Sequence, residues 1–520
     1  MTLIDYAIVL AYLIAMLGIG FYYRNQKSQS DYFLGGRTLP WQALSLSVMA
    51  TQLSAVSFIS APAFVGLREG GGLIWLSYEL AIPLAMLFLL WFILPSLHAS
   101  GVVSVYDFLE KRFNRFTRVL ISLVFQISRS FATAIMIYAI TIVLQSTMGL
   151  PFWLSIISIG LITLIYSAFG GMKAVVIGDA VQMLLIIFGA AACLWVALSH
   201  LGGFQMIINN IDSSRLSTFN YSGYGLTGND FGLLPMLFGG LVLYASYYGC
   251  DQSEAQRSLS SRSIGDLRKI LVTVGLARFP ITLLYCFSGL AIGALVVTTP
   301  DFAAQIPADK TDWMVPIFII NYMPIGLTGL LVVAMMAAAM SSLSSAINSL
   351  AAVSLEDYVR ISKKTLSPTQ YVNNARWVGI FWGLLTLGLS TVAGDIAPTI
   401  IEAINKIGSV FYGPILAIFL LGIYNKKVGA LAASTGLIVG VGVNIYLWLS
   451  GSLLFWFWWN VIGFVTTLVC AITLTVIYSN NEIREQPKFV TGITIGSVII
   501  LSSWFVLIFA IIAYLTQLIS

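Results

Sequence analysis

The chain has 520 residues, of which 58% are hydrophobic and only 9% charged, with a mean hydropathy of +0.92. A soluble domain carries roughly 25% charged residues, so a soluble globular fold is excluded and the chain reads as a polytopic, all-α membrane protein. Its net charge of +5 is then a matter of topology and gives no reason to expect a nucleic-acid partner.

Taken in chain order, apolar stretches of roughly 20 residues or more predict about fourteen spans. They fall at 3–23, 42–65, 74–98, 118–146, 152–170, 178–199, 232–252, 270–298, 325–355, 375–393, 400–422, 428–449, 453–477 and 491–517. The first is not followed by a cleavage site and a polar mature region, so it reads as a retained span and not a signal peptide. With the N-terminus outside, the inner segments 24–41, 99–118, 171–177, 253–269, 356–376, 423–427 and 480–490 hold twenty of the 26 Lys and Arg residues. Outer segments hold only Arg68, Arg215 and Lys310, while Arg129, Arg278 and Lys406 lie within spans. This asymmetry predicts both termini on the outer side. Cys193, Cys250, Cys286 and Cys470 read as small core residues, and two distant histidines, His98 and His200, argue against a zinc site.

A charged side chain inside a span is costly and usually faces protein, water or a partner. Away from the interfaces these are Glu79, Arg129, Asp179, Asp251, Glu254, Arg278, Glu402 and Lys406. Glu79, in WLSYELAIP, is an acceptor for sugar or amine groups, or the counter-charge of Arg129. Arg129, in VFQISRSFATAIMIY, is too deep to snorkel easily. It is either half of a structural pair with Glu79 or Asp179, or a bidentate clamp for a substrate carboxylate. Asp179, in GGMKAVVIGDAVQ, lies one turn into a span, where the helix macrodipole favours an acid. Arg278 is open between a structural role and a place along an exit path. Glu402 and Lys406 are spaced as an i,i+4 pair.

Polar residues inside spans add a second signal. The span 42–65 carries Thr51, Gln52, Ser54, Ser57 and Ser60 ahead of Pro62, as a discontinuous helix with an unwound centre would need. The stretch LFGGLVLYASYYGCDQSEAQR pairs glycines with a polar end. In AMMAAAMSSLSSAINSL, 334–350, about 100° per residue puts Ala334, Ala337, Ser341, Ser344, Ser345 and Asn348 on one arc, with Ser342 at its edge. Met336, Met340, Leu343, Ile347 and Leu350 fall opposite. Small residues suit close helix packing, whereas clustered hydroxyls also suit a dehydrated Na⁺ with roughly five or six oxygen ligands. Two interrupted spans, each opening a block of five, predict repeats over 42–199 and 232–422. Around them stand an extra helix and inner loop over 1–41, an outer loop over 200–231 and three further helices over 423–520.

Four motifs then stand in order and spacing across roughly residues 1–450: SDYFLGGRTLPW, YSAFGGMKAVVIGDAVQ, DQSEAQRSL and SSLSSAINSLAAVSLEDYV. Together they resemble the sodium/solute symporters, which include bacterial galactose, proline and sialic acid carriers and animal glucose, iodide and multivitamin carriers. The resemblance implies a LeuT-type five-plus-five inverted repeat with discontinuous helices 1 and 6, coupled to one or two Na⁺, without an organic cofactor or enzymatic activity. A first sodium would be held by the carbonyls of Ala50, Leu53 and Ala338 and the hydroxyls of Ser341 and Ser342. A second would be held by Asp179, Ser341, Ser344 and Ser345, although Gly178 stands where the family often has a hydroxyl residue. Gln52, Ser54, Ser57, Glu79, Arg129, Asp251 and Gln252 are the implied substrate contacts.

Within that resemblance, Glu79 matches the carboxylate of the galactose carriers, and Arg129 resembles the arginine that sialic acid carriers use for a carboxylate. The segment 341–359 looks closest to the iodide, multivitamin and monocarboxylate branch. The expected solute is therefore sialic acid, an acidic sugar or a monocarboxylate, with a neutral sugar or inositol as the alternative. A channel would want a continuous ring of pore-lining groups, and an intramembrane enzyme a nucleophile–base or metal constellation that is not visible. Proton coupling through Asp179 is the alternative to sodium. A monomer in a bacterial inner membrane is the expected setting.

Overall fold

The computed structural model describes residues 1–54, 56–228, 231–308, 310–363, 365–392, 399–477 and 489–519. Lys364, Arg484 and Lys488 of the predicted inner segments, and residue 393 at the end of a predicted span, lie outside them. Every regular element described is helical. In lipid a helix satisfies its backbone polar groups within one segment.

Among the described residues eleven helices are long and apolar enough to cross a bilayer, or up to twelve if one bent pair counts as a span. With the short helices between them, the chain runs through α1 (Leu3–Tyr22), the bent pair α2 (Trp41–Gln52) and α3 (Val56–Gly66), α4 (Leu73–Ala99), the short α5 (Val105–Arg112), α6 (Arg115–Met148) and α7 (Phe152–Leu201). Two short helices follow, α8 (Gly240–Cys250) and α9 (Gln252–Leu259), then α10 (Ile264–Thr298), α11 (Leu327–Ser362), α12 (Pro368–Val392), α13 (Ile400–Tyr424), α14 (Ala430–Leu449), α15 (Trp456–Ile477) and α16 (Ile495–Gln517).

The difference from the fourteen predicted stretches has local causes. The stretches 152–170 and 178–199 run together in α7, which is interrupted at Gly171 (φ 58°, ψ −159°). Only glycine adopts that conformation readily, and a Cβ there would also come within 2.9 Å of the Tyr32 carbonyl oxygen. The stretch 232–252 is a π-turn, Pro235–Gly239, leading into α8; Asp251 then leaves helical geometry (φ −80°, ψ 123°) before α9 resumes. Helices α2 and α3 meet at 61°. Leu53 (φ −79°, ψ 65°) ends α2, and the Ser54 hydroxyl accepts from Val56 N at 3.2 Å. A side chain there replaces the backbone partner that a continuous helix would supply.

The spine of the bundle is α11, with 94% of its apolar window buried, against 22% for α15 and 17% for α16. Helix α1 is also peripheral, yet Asp5 Oδ1 accepts from Gly326 N and Gly329 N, both at 2.9 Å. That carboxylate satisfies two orphan N–H groups at the N-terminus of α11, where the helix dipole favours an anion. At the opposite end of α11, buried Arg118 joins Asp107, Glu110 and Asp357 at 3.0, 3.0 and 3.1 Å and ties α5, α6 and α11 together.

Candidate functional site

Because α2 stops at Gln52, its last carbonyls have no partner within the helix. The serines of α11 supply one. Ser341 Oγ donates to the Ala50 carbonyl at 3.0 Å and to Ala338 at 3.1 Å, and Ser342 Oγ donates to Thr51 at 3.2 Å and to Ala338 at 3.4 Å. Ala50, Ala338, Ser341 and Ser342 are thus brought together, all fully buried, with Leu53 fully buried at the break. Carbonyls with a spare lone pair and freely rotating hydroxyls suit a hard cation.

A second cluster lies on the same face of α11. Asp179 Oδ2 accepts from Ser47 Oγ at 2.6 Å and from Arg257 Nη2 at 2.9 Å. Arg257 Nε donates to Ser47 Oγ at 2.7 Å, and its Nη2 also reaches Ser345 Oγ. Four helices, α2, α7, α9 and α11, therefore converge on one carboxylate. Ser345 belongs to this cluster and also meets Thr51 Oγ1 at 3.2 Å. Ser344 turns back on its own helix and donates to the Ser341 carbonyl at 2.9 Å. Ser47 and Arg257 are not among the expected site residues, and Thr51, expected only as a hydroxyl of the broken span, joins them. Arg257 stands in DQSEAQRSL, within the predicted inner segment 253–269, yet it is 1% exposed and acts as a counter-charge.

Beyond the break the chain lines a cavity between α2, α3, α4, α6, α8, α10 and α13. Gln52, Ser54, Ser57 and Arg129 are on its wall with Tyr78, Tyr247, Arg278 and Asn405. Glu79, Asp251 and Gln252 stand behind the described wall. Glu79 accepts from Arg278 Nε and Nη2 at 3.3 and 3.4 Å and from the Tyr244 hydroxyl at 3.3 Å. Gln252 braces the approach to α5, accepting from Val105 N at 2.8 Å and donating to the Val103 carbonyl at 3.0 Å. Gln52 accepts from the Tyr248 hydroxyl.

Several expected pairings are corrected. Arg129 faces neither Glu79 nor Asp179: its Nη1 is 3.7 Å from Asp251 Oδ2, and its guanidinium lies 5.8 Å from the Tyr247 ring centre. The kink at Asp251 turns that carboxylate back towards α6. Arg278 is a wall residue of the cavity. Glu402 pairs with Arg68 at 2.7 Å, while Lys406 lies 5.1 Å from the Trp448 ring centre. The start of α13 is further held by Ile401 N on Ser60 Oγ and Ile400 N on Asp312 Oδ2, both at 3.1 Å. Burial pushes Asp312 up to about 6, against the lowering effect of Ser60 and the Ile400 N–H.

Residues 32–440 match the sodium:solute symporter family. The chain belongs to that family. Among the symporter's relatives, the sodium/sialic acid symporter SiaT of Proteus mirabilis (strain HI4320) is 31% identical over 90% of this chain and 93% of that one. The human sodium-coupled monocarboxylate transporter 1 is 26% identical over 85% and 73%. A solved structure of a Na⁺-coupled sialic acid symporter, substrate-bound and outward-open, matches with a TM-score of 0.84 and 28% identity over 93% of this symporter and 99% of that chain.

Proposed function

We propose that this symporter couples the inward movement of Na⁺ to the import of a small organic acid by alternating access. The observation that carries the reading is a pair of unlike sites on one broken helix. The end of α2 presents its carbonyls to the hydroxyls of Ser341 and Ser342, and from Gln52 onward the same chain lines a cavity holding Arg129. A cation among Ala50, Leu53, Ala338, Ser341 and Ser342 bridges α2 to α11 and orders Gln52, Ser54 and Ser57. Coupling follows because each ligand favours the conformation that the other needs. At −100 mV each sodium adds about 2.3 kcal/mol of inward drive.

The acid is supported by Arg129, whose only ion-pair partner among the described residues is 3.7 Å away and leaves it free to exchange Asp251 for a solute carboxylate. Sialic acid, an acidic sugar and a monocarboxylate are the solutes to test first, given the named relatives. A neutral sugar or inositol would use Glu79 as acceptor, and both of its oxygens are already engaged. A second sodium at Asp179, Ser341, Ser344 and Ser345 is supported by the unpaired Asp179 Oδ1 and requires Arg257 to share the carboxylate. The reading includes fourteen crossings: the bent pair counts as one, α7 as two divided at Gly171, and the 235–259 stretch as one. Repeats over 42–199 and 232–422, discontinuous helices 1 and 6, both termini outside, a monomer and a bacterial inner membrane complete it.

The test is uptake by proteoliposomes containing the purified chain under an imposed sodium gradient. Labelled sialic acid or a short monocarboxylate should accumulate and stop when the gradient is collapsed. Accumulation of inositol or hexose in place of any acid overturns the solute, and gradient-independent uptake overturns the coupling.

A further inference from the structure

The same cavity holds a second guanidinium. Arg278, from the middle of α10, is buried and forks onto Glu79 through Nε and Nη2. Its Nη1 has no hydrogen-bond partner, and neither has the hydroxyl of Tyr78, whose ring stacks on Tyr244 with centres 4.3 Å apart. Arg129, from α6, leaves Nε and Nη2 unpaired in the same way. Arg129 is 2% exposed, Tyr78 2% and Arg278 4%. Among the described wall residues, each unpaired buried polar atom therefore belongs to a group that donates. A buried donor without a partner is destabilising, so the cavity is complementary to a solute that brings acceptors to two separate places.

The two guanidiniums are not equivalent. Arg129 has one ion-pair contact, at 3.7 Å, and no hydrogen bond to its carboxylate. Arg278 makes two hydrogen bonds to Glu79, which is also held by Tyr244. Arg129 can therefore trade its partner for a solute carboxylate, whereas Arg278 stays neutralised and offers a single N–H. A full anion at Arg278 would meet the Glu79 charge beside it, which a neutral carbonyl avoids. Most of the remaining wall is apolar or aromatic, Trp75, Met136, Leu243, Ile401 and Ile404 among it, with Gln52, Ser54, Ser57 and Asn405 as its other polar residues.

We propose that Arg278 Nη1 and the Tyr78 hydroxyl form a second binding subsite. It selects, among small acids, those carrying a neutral carbonyl or amide oxygen beyond an apolar spacer. This rests on the reading that Arg129 holds the carboxylate.

Binding is measured in sodium with purified protein, using alkanoates of five to eight carbons, their mono-oxo acids with the ketone at each inner position, and the matching dicarboxylates. The best oxo acid should bind roughly tenfold or more tighter than its parent alkanoate, the effect of a hydrogen bond to a buried charged donor, and tighter than the dicarboxylate. Tyr78→Phe removes one hydroxyl, and Arg278→Lys keeps Glu79 neutralised; each should shrink the gap severalfold while binding of the parent acid persists. Equal binding of oxo acid and parent in the wild type, or a gap unchanged in both variants, overturns the subsite and leaves the carboxylate reading intact. Tightest binding by a dicarboxylate overturns its neutral character. No binding by any acid overturns both readings.

Discussion

Arg257 Nη2 meets Asp179 Oδ2 at 2.9 Å with both side chains buried. Ser47 on α2 touches both of them. Breaking a buried pair by removing one partner leaves an uncompensated charge, which typically costs about 3–5 kcal/mol. Asp179→Asn and Arg257→Gln should each lower the thermal midpoint of the solubilised protein, and the double variant should recover part of the loss. Strict additivity of the two losses would show that the pair does not act as a unit. If the second sodium shares this carboxylate, Asp179→Asn also lowers the Hill coefficient of sodium activation towards one.

Ser342 spans from α11 to the Thr51 carbonyl. Ser342→Ala removes one ligand oxygen without opening a large cavity, so it should raise half-saturating sodium roughly tenfold, the scale of one strong polar contact. Solute affinity at saturating sodium should change little. Uptake recorded over a range of sodium concentrations decides it, since an unchanged sodium curve returns Ser342 to helix packing.

Arg129→Gln should abolish uptake of an acidic solute, because a charge-assisted contact to carboxylate has no equivalent in the amide. Asp251→Asn combined with it restores charge balance and stability but not transport. Transport recovered by the double variant would mean that Arg129 serves only to neutralise Asp251.

Asp312 caps the start of α13, and its carboxyl is raised from the ordinary aspartate range to about 6. A carboxyl raised in the folded state binds its proton more tightly there than in the unfolded chain. Its contribution to stability is therefore full below about pH 4 and is lost as pH climbs through about 6, by up to about 3 kcal/mol. Thermal midpoints recorded from pH 4 to 8 should show this component, and Asp312→Asn should flatten it. An identical pH profile in the variant would assign the dependence to other groups.

The serine face of α11 was legible because helical periodicity alone gathers Ser341, Ser344, Ser345 and Asn348. The broken helix was legible in the hydroxyls of 51–60, since an interrupted backbone needs partners that lipid cannot offer. What the sequence concealed were pairings across long separations. Arg129 finds Asp251 only because the chain leaves helical geometry at Asp251 itself. Glu402 prefers distant Arg68 to Lys406 four residues away, because two tryptophans already cover the lysine. Arg257 is hidden for a related reason: a charge near the end of an apolar stretch looks like a loop residue until the helix that buries it is known. The glycine at 171 gave no hydropathy signal strong enough to tell a turn between two spans from a break within α7.

The grip of Asp5 on Gly326 and Gly329 makes a peripheral helix a lever attached to the innermost one. Gly329 has no room for a side chain, since a Cβ would come within 2.6 Å of the Asp5 Cα, so the joint is stiff and tilting of α11 is passed on to α1. An environment-sensitive dye on the lipid-facing side of α1, at exposed Leu10 or Ile14, would follow the serine helix through a transport cycle without touching either candidate ligand site.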